Sequence, residues 1–326
     1  MLRMIARRAL TGLVVIAGVV TLTFLLLHAA PGDPAEQLLG HTATAEQLAA
    51  GRHALGLDRP LPVQYLSWLG RFGRGDWGTS LATGRPARAM LGGAWPATAR
   101  LVLLSLILSY GLGLAIGAIQ AARHRTRVDT TLSIASVTLV ALPGYWLGLM
   151  LVALFTYLLR ALPAFGAAGF DVDELGSWAR FADGLRHLAL PLATLTLIGT
   201  GAAARFARGA MLDALEQPFV VAARAKGLTG TRVLVHHVLR HAVIPVVTLL
   251  GLSLPALFSG AVFVEAVFAW PGVGRVLVEA VQARDYPVVM AATAVSATLV
   301  VVGNLAADVV TGLVDPRVRA IEERSA

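Results

Sequence analysis

The strongest constraint in this sequence is a series of uncharged apolar stretches, each near the length that crosses a lipid hydrocarbon core. Such a helix needs about 20 apolar residues. In lipid every backbone N–H and C=O must be bonded within the segment, so stretches of this kind are read as helices. Six are present: Ala9–Ala30, Leu101–Ala122, Thr130–Leu159, Leu188–Ala204, Ala242–Val264 and Tyr286–Ala307. The third is long enough to tilt or break and carries Pro143-Gly144 in its middle. The fourth has Pro191 in its first turn, where a missing N–H costs little; the fifth has Pro245 near its start and Pro255 inside. Composition agrees: 56% of residues are hydrophobic and 14% charged, against about 25% charged in soluble domains. The expected fold is an all-α integral membrane protein of six transmembrane helices.

The net charge of +8 sits in short runs between the apolar stretches. It forms no patch with interleaved aromatics, which points to membrane orientation and away from nucleic acid. With the N-terminus inside, the inner segments hold Arg3, Arg7 and Arg8; Arg123, Arg125 and Arg127; Arg205, Arg208, Arg224, Lys226, Arg232 and Arg240; and Arg317, Arg319 and Arg324. The short outer loops hold only Arg160, Arg180, Arg186, Arg275 and Arg284. Both termini are expected in the cytoplasm. Ala9–Ala30 exceeds the usual apolar length of a cleaved signal peptide and is followed by no convincing small-x-small site, so it reads as a retained helix. Gly113 and Gly117, like Gly144 and Gly148, are four apart. That spacing lets helix backbones approach in lipid, or simply reflects how common glycine is in membrane helices. The absence of cysteine excludes disulfides, thiolate metal sites and thiol nucleophiles.

Between the first two spans, residues 31–97 are too long for a simple turn. Pro31-Gly32-Asp33-Pro34 is a turn cluster. Thr44 with Gln47 fits a capping box ahead of a short helix bearing Leu48 and Leu55. Leu61-Pro62 opens a second helical pattern with Tyr65, Leu66, Leu69 and Phe72 on one face, ended by Gly73, Gly75 and Gly78. A small folded cap on the outer surface is expected, as a docking site for a soluble partner or as a structural lid. On the inner side, residues 205–241 are basic and too polar to span. Pro218 suits a first helical turn, Ala222, Ala223 and Ala225 favour helix, and Gly227 suits the left-handed position that follows. A short helix, Pro218–Lys226, is expected outside the bilayer with Phe219, Val220 and Ala223 as its apolar face. That face is small for a helix lying on lipid and suits a partner's groove. The chain thus divides into residues 1–30, the outer cap 31–97, a five-helix transmembrane core 98–315 with its inner loop 205–241, and a cytoplasmic tail 316–326.

Here the sequence resembles a known family. Val220-Val221-Ala222-Ala223-Arg224-Ala225-Lys226-Gly227-Leu228 is similar to the EAA loop of the permeases of binding-protein-dependent ABC importers. The run from Arg240 through Ile244-Pro245-Val246-Val247-Thr248 matches how that loop returns to the membrane in the dipeptide, oligopeptide and nickel branch. Further blocks agree: Pro31-Gly32-Asp33-Pro34, Leu55 to Tyr65, Arg74-Gly75-Asp76-Trp77-Gly78-Thr79-Ser80, Gly260 to Glu265, Phe268 to Gly274, Ala283 to Pro287 and Leu313 to Arg317. They stand in family order over nearly the whole chain. The long first outer loop resembles that of the first of the two permeases such systems usually encode. Val221 stands where the motif has its Glu, which puts in doubt any carboxylate role in that loop.

The resemblance implies a multi-pass translocation subunit of a bacterial-type inner membrane, surrounded by lipid. It would pair with a second homologous permease as a heterodimer. Two cytoplasmic ABC ATPase subunits would use ATP and Mg, and an extracytoplasmic solute-binding protein would deliver substrate. It assigns ATPase coupling to Pro218, Phe219, Val220, Ala222, Ala223, Arg224, Ala225, Lys226, Gly227 and Leu228. Gly227 would set the turn, Ala222 and Ala223 would allow close approach, and Arg224 would pair with an acidic partner residue; Arg224 and Lys226 also fit plain inside-positive charge. Similar permeases carry di- and oligopeptides, nickel chelates, opines, glutathione and some sugars, peptides being the commonest.

Other readings follow from the residues alone. No Gly-x-x-x-x-Gly-Lys-Ser/Thr loop occurs: the one lysine, Lys226, sits between Ala225 and Gly227, so the energy of an ATP-driven cycle has to come from another polypeptide. No cofactor is expected on this chain and no enzymatic site, since a Gly-x-Ser-x-Gly elbow is also lacking. His236, His237 and His241 lie in the basic loop with no carboxylate nearby, so metal ligation is not expected. Glu265 ends an apolar run and is followed by Phe268, Trp270, Pro271, Gly272 and Gly274. That reads as the outer interface with an aromatic anchor, Glu265 bonding the Trp270–Gly274 turn or touching substrate. The competing reading is an ion-coupled secondary transporter. Such proteins bury mid-membrane carboxylates and repeat in inverted halves; here Glu265 and Asp308 stand only at span edges, and no convincing self-similarity is present. A non-transporting scaffold or receptor leaves the resemblance unexplained.

Overall fold

The computed structural model describes residues 2–30, 32–40, 42–169, 171–174 and 176–314. Pro31 of the turn cluster and the tail from Asp315, with Pro316, Arg317, Arg319 and Arg324, lie outside the described residues. Helices dominate: α1 (Leu2–Ala29), α2 (Pro34–Leu39), α3 (Ala45–Leu55), α4 (Leu61–Gly73), α5 (Ala87–Ala122), α6 (Arg127–Ala141), α7 (Gly144–Val152), α8 (Ser177–Leu215), α9 (Pro218–Ala225), α10 (Gly230–Val233), α11 (Leu239–Val267), α12 (Val273–Gln282) and α13 (Tyr286–Val314). All six apolar stretches are helical over nearly their whole length. Among the described residues, four helices are long and apolar enough to cross a membrane, or five spans if the bent pair Arg127–Ala141 and Gly144–Leu158 counts as one.

That pair breaks where the sequence placed its proline. Pro143 has no N–H to continue the ladder and disfavours helical backbone in the residue before it. Leu142 is accordingly extended (φ −74°, ψ 132°), and the chain bends by 104°. α7 then passes into a π-helical stretch, Ala153–Leu158.

The chain forms two compact units. One comprises Leu2–Thr98 with Pro271–Val301. Its cap is built as expected at α3: the Thr44 N–H donates to Gln47 Oε1 (2.9 Å) and the Gln47 N–H to Thr44 Oγ1 (3.3 Å). Asp33 caps α2, accepting from the Ala35 N–H at 2.9 Å, and also takes the Arg52 Nε at 2.6 Å. On α4 the inward face differs from the expected one. Tyr65, Trp68 and Phe72 pack on Val20, Phe24, Met290 and Ala294, while Leu66 and Leu69 stay 64% and 45% exposed. A helix buries one stripe, and the rings win it: Tyr65 OH also bonds Thr21 Oγ1 (2.8 Å), and Phe72 stacks on Trp77 at 5.3 Å. The following loop is held by Asp285, buried at the start of α13. Its carboxylate accepts the Ser80 hydroxyl and the N–H groups of Leu81 (3.2 Å) and Ala82 (3.4 Å).

The other unit comprises Ala99–Trp270 and, among the described residues, Val302–Val314. α8 supplies much of its core through Leu190, Leu195, Ala204, Ala207 and Met211. Gly113 and Gly117 are the small residues that admit α5 to α8. A β-carbon at Gly113 would collide with Ala203, and one at Gly117 would stand 2.7 Å from the Ala207 Cβ and 2.9 Å from the Arg208 N. Gly111, two residues earlier, faces open space. The same substitution therefore has opposite signs at two neighbouring sites. Gly117→Ala is expected to lower stability by about 1–3 kcal/mol through overpacking, and Gly111→Ala to raise it by up to about 1 kcal/mol through helix propensity. Thermal unfolding in detergent measures both.

Candidate functional site

The segment between α8 and α11 is the candidate site. α8 ends at Leu215, Gln217 turns the chain in extended geometry (φ −75°, ψ 148°), and Pro218 opens α9 at its first position. Gly227 follows with φ +78°, the left-handed geometry its sequence position required. The Gly227 N–H returns to the Arg224 carbonyl at 2.9 Å, and that of Leu228 to Ala223 at 3.3 Å. The expected short helix is therefore present.

Its orientation reverses the expectation. Val220 and Ala223 are 1% and 5% exposed, buried among Ala121, Met211, Ala214, Val233, Val238 and Ala242 of the same chain, with Phe219 and Leu228 at the edge of that cluster. Phe219 also stacks on His241 with ring centroids 4.3 Å apart. The apolar face is not offered to a partner, because helices on both sides of so short an element claim it first. The outward side carries Pro218, Val221, Ala222, Arg224, Ala225 and Lys226. Pro218, Val221, Ala222 and Ala225 fall at helical spacing, forming a second, narrow apolar stripe edged by two cations. Val221, in the position of the family's Glu, is 67% exposed at its centre.

The three loop histidines separate. His241 stacks on Phe219, His236 is exposed and His237 half-buried. Among the described residues no group of three His, Cys, Asp or Glu stands close enough to hold a metal ion.

Glu265 and the turn at Trp270 sit differently from the expectation of an interfacial anchor. Glu265 and Trp270 are 0% and 2% exposed, with the Trp270 N–H on the Glu265 carbonyl at 2.9 Å. Trp270 is thus a packing residue, its ring covered by the chain itself. Ala269 between them takes φ +48°. Glu265 and Trp270 belong to one unit and Pro271, Gly272 and Gly274 to the other, where Gly272 immediately precedes α12 and the Val273 N–H donates to Thr98 Oγ1 at 2.8 Å.

The sequence reading missed an ion pair. Arg208 on α8 grips Asp129 in the first turn of α6 through Nε (2.7 Å) and Nη2 (2.9 Å). Charge patterning alone gives Arg208 as no more than inside charge. The available signal was Thr126 three residues before Asp129, and the Thr126 hydroxyl does accept the Asp129 N–H at 3.5 Å.

The two sides of α9 separate in a folding test. Val220→Asp, placing an unpaired carboxyl in the buried cluster, is expected to cost several kcal/mol, of order 2–7, whereas Val221→Asp changes stability by less than about 0.5 kcal/mol. Detergent melting curves of the two variants check this; equal losses would contradict the assigned orientation.

Comparison with known proteins places this geometry. Residues 113–320 match the family described as binding-protein-dependent transport system inner membrane component, and residues 1–102 match its N-terminal region. Similar curated proteins include the oligopeptide transport system permease protein AppB of Bacillus subtilis (strain 168), 37% identical over 96% of this chain and 98% of that one. The di/tripeptide transport system permease protein DppB of Pseudomonas aeruginosa (strain UCBPP-PA14) is 38% identical over 98% and 99%. The probable D,D-dipeptide transport system permease protein DdpB of Escherichia coli (strain K12) is 38% identical over 96% and 97%. Among solved structures, the MetNI methionine ABC transporter in inward-facing conformations matches with a TM-score of 0.54 at 16% identity, over 69% of this chain and 96% of that one; at that identity the likeness concerns the fold.

Proposed function

We infer the working of this chain from its family: it belongs to the inner-membrane components of binding-protein-dependent transport systems. In our reading it forms the translocation pathway of an ATP-driven importer of di- or oligopeptides. The observation that carries the substrate class is the identity of 37–38% over nearly the full length of permeases named for oligopeptides, di/tripeptides and D,D-dipeptides.

Six helices cross the membrane with both termini in the cytoplasm. A second homologous permease completes the pathway, and an extracytoplasmic solute-binding protein delivers substrate to the outer side. ATP and Mg are handled by two cytoplasmic ATPases and no cofactor by this chain. The outward stripe of α9 is where an ATPase docks: Val221, Ala222 and Ala225 enter an apolar groove, while Arg224 and Lys226 meet acidic groups on its rim. Val220, Ala223 and Phe219 act from behind, holding α9 on its bed.

The test is purification from native membranes in detergent with ATPase assayed in the eluate, then uptake of tritiated di- and tri-alanine by proteoliposomes. Ala222→Glu, on the exposed side, is expected to insert normally, lose the ATPase and cut uptake at least about tenfold, equivalent to 1.4 kcal/mol of docking. If the native chain purifies alone and transports under an ion gradient without ATP, the importer reading is wrong and an ion-coupled carrier replaces it.

A further inference from the structure

We propose that Asp129 and Arg208 are a positioning pair that makes the base of α8, and with it α9, move as one body with the inner ends of α5 and α6. Breaking the pair would then uncouple ATP hydrolysis from transport while the ATPase stays bound. The inference rests on the transport reading above and adds the residues through which motion of α9 enters the spans.

Asp129 is 3% exposed and gathers donors from several directions. The Arg208 fork occupies both of its oxygens. The Arg125 N–H donates to Oδ2 at 3.0 Å, and the Ser133 hydroxyl lies 3.4 Å from Oδ1. Ser133 in turn accepts the Gln120 side-chain amide from α5 at 2.9 Å. His124 Nδ1 stands 3.3 Å from Asp129 Oδ2 and 3.2 Å from Arg208 Nη2. One carboxylate therefore ties together α5, the turn after it, α6 and α8. Arg125 sits at φ +62°, a conformation rare for a residue with a side chain, with its N–H directed to Asp129. Gly117 brings α5 against the same turn of α8, where a β-carbon would stand 2.9 Å from the Arg208 N.

The position of this clasp on α8 gives it its consequence. Met211 and Ala214, the residues on which α9 rests, follow Arg208 within two turns. A push on α9 reaches this end of α8 first. The contacts between α9 and its bed are apolar and non-directional. A guanidinium fork on a carboxylate fixes register and angle as well as distance, so it is the element here that carries displacement rather than letting one helix slide on another.

The test uses the reconstituted complex of this chain with its partner permease, ATPases and binding protein, the native form first. If the native complex shows no ATP-dependent uptake of tritiated di- or tri-alanine, the transport reading fails and not the pair. Given uptake, Arg208→Gln and Asp129→Asn are compared for ATPase retained on purification, ATP hydrolysis rate and peptide taken up per ATP. The expected result is retained ATPase, hydrolysis within about twofold of native and uptake per ATP lowered about tenfold or more. Unchanged uptake per ATP in an assembled variant overturns the proposal. Where these variants do not assemble, Arg208→Lys, which keeps the charge and removes the fork, is read by the same ratio. A lowered ratio supports the pair; a native ratio, or failure of Arg208→Lys to assemble, assigns it to folding alone and overturns the proposal.

Discussion

Close approach of α5 to α8 is the contact on which the Ala99–Trp270 unit depends. Gly113 and Gly117 leave no side chain between the helices, and Ala203, Ala204 and Ala207 fill the space opposite. In lipid, helices gain little from hiding apolar surface from one another, so packing at short range and polar contacts between helices decide how they associate. With the backbones this near, Arg208 comes beside the start of α6 and meets Asp129. The bed of α9, from Ala121 to Ala242, lies at the same end of both helices.

Two of the buried carboxylates, Asp129 and Asp285, are bound in different ways. Asp129 takes a cation as well as neutral donors. Asp285 takes the hydroxyl of Ser80 and backbone N–H groups of the same loop. The first joins the helices beside α9, and the second fastens the loop after α4 to the start of α13.

The α9 helix shows how local sequence and packing divide the work. Pro218, the alanines and Gly227 are enough to begin, propagate and end a single short helix, because those preferences act over one turn. Periodicity located its strong apolar face at Phe219, Val220 and Ala223, but periodicity cannot say which surface covers that face. The chain itself does, leaving the weaker stripe around Val221 and Ala222 outward. On α4 the same ambiguity resolved toward Tyr65, Trp68 and Phe72 and away from Leu66 and Leu69.

By itself the sequence determined where helices run, the Pro143-Gly144 point at which the third apolar stretch could tilt or break, the capping box at Thr44 and the family. Each rests on residues adjacent in the chain or on uninterrupted apolar length. Only the tertiary structure decided that Trp270 is buried, which side of α9 faces out, and that Asp129 meets Arg208 across 79 positions of sequence. Those outcomes depend on which segments approach one another. A single chain's pattern of apolar and charged residues restricts that choice, but it is completed by side-chain volume, as at Gly117, and by the geometry of one guanidinium on one carboxylate.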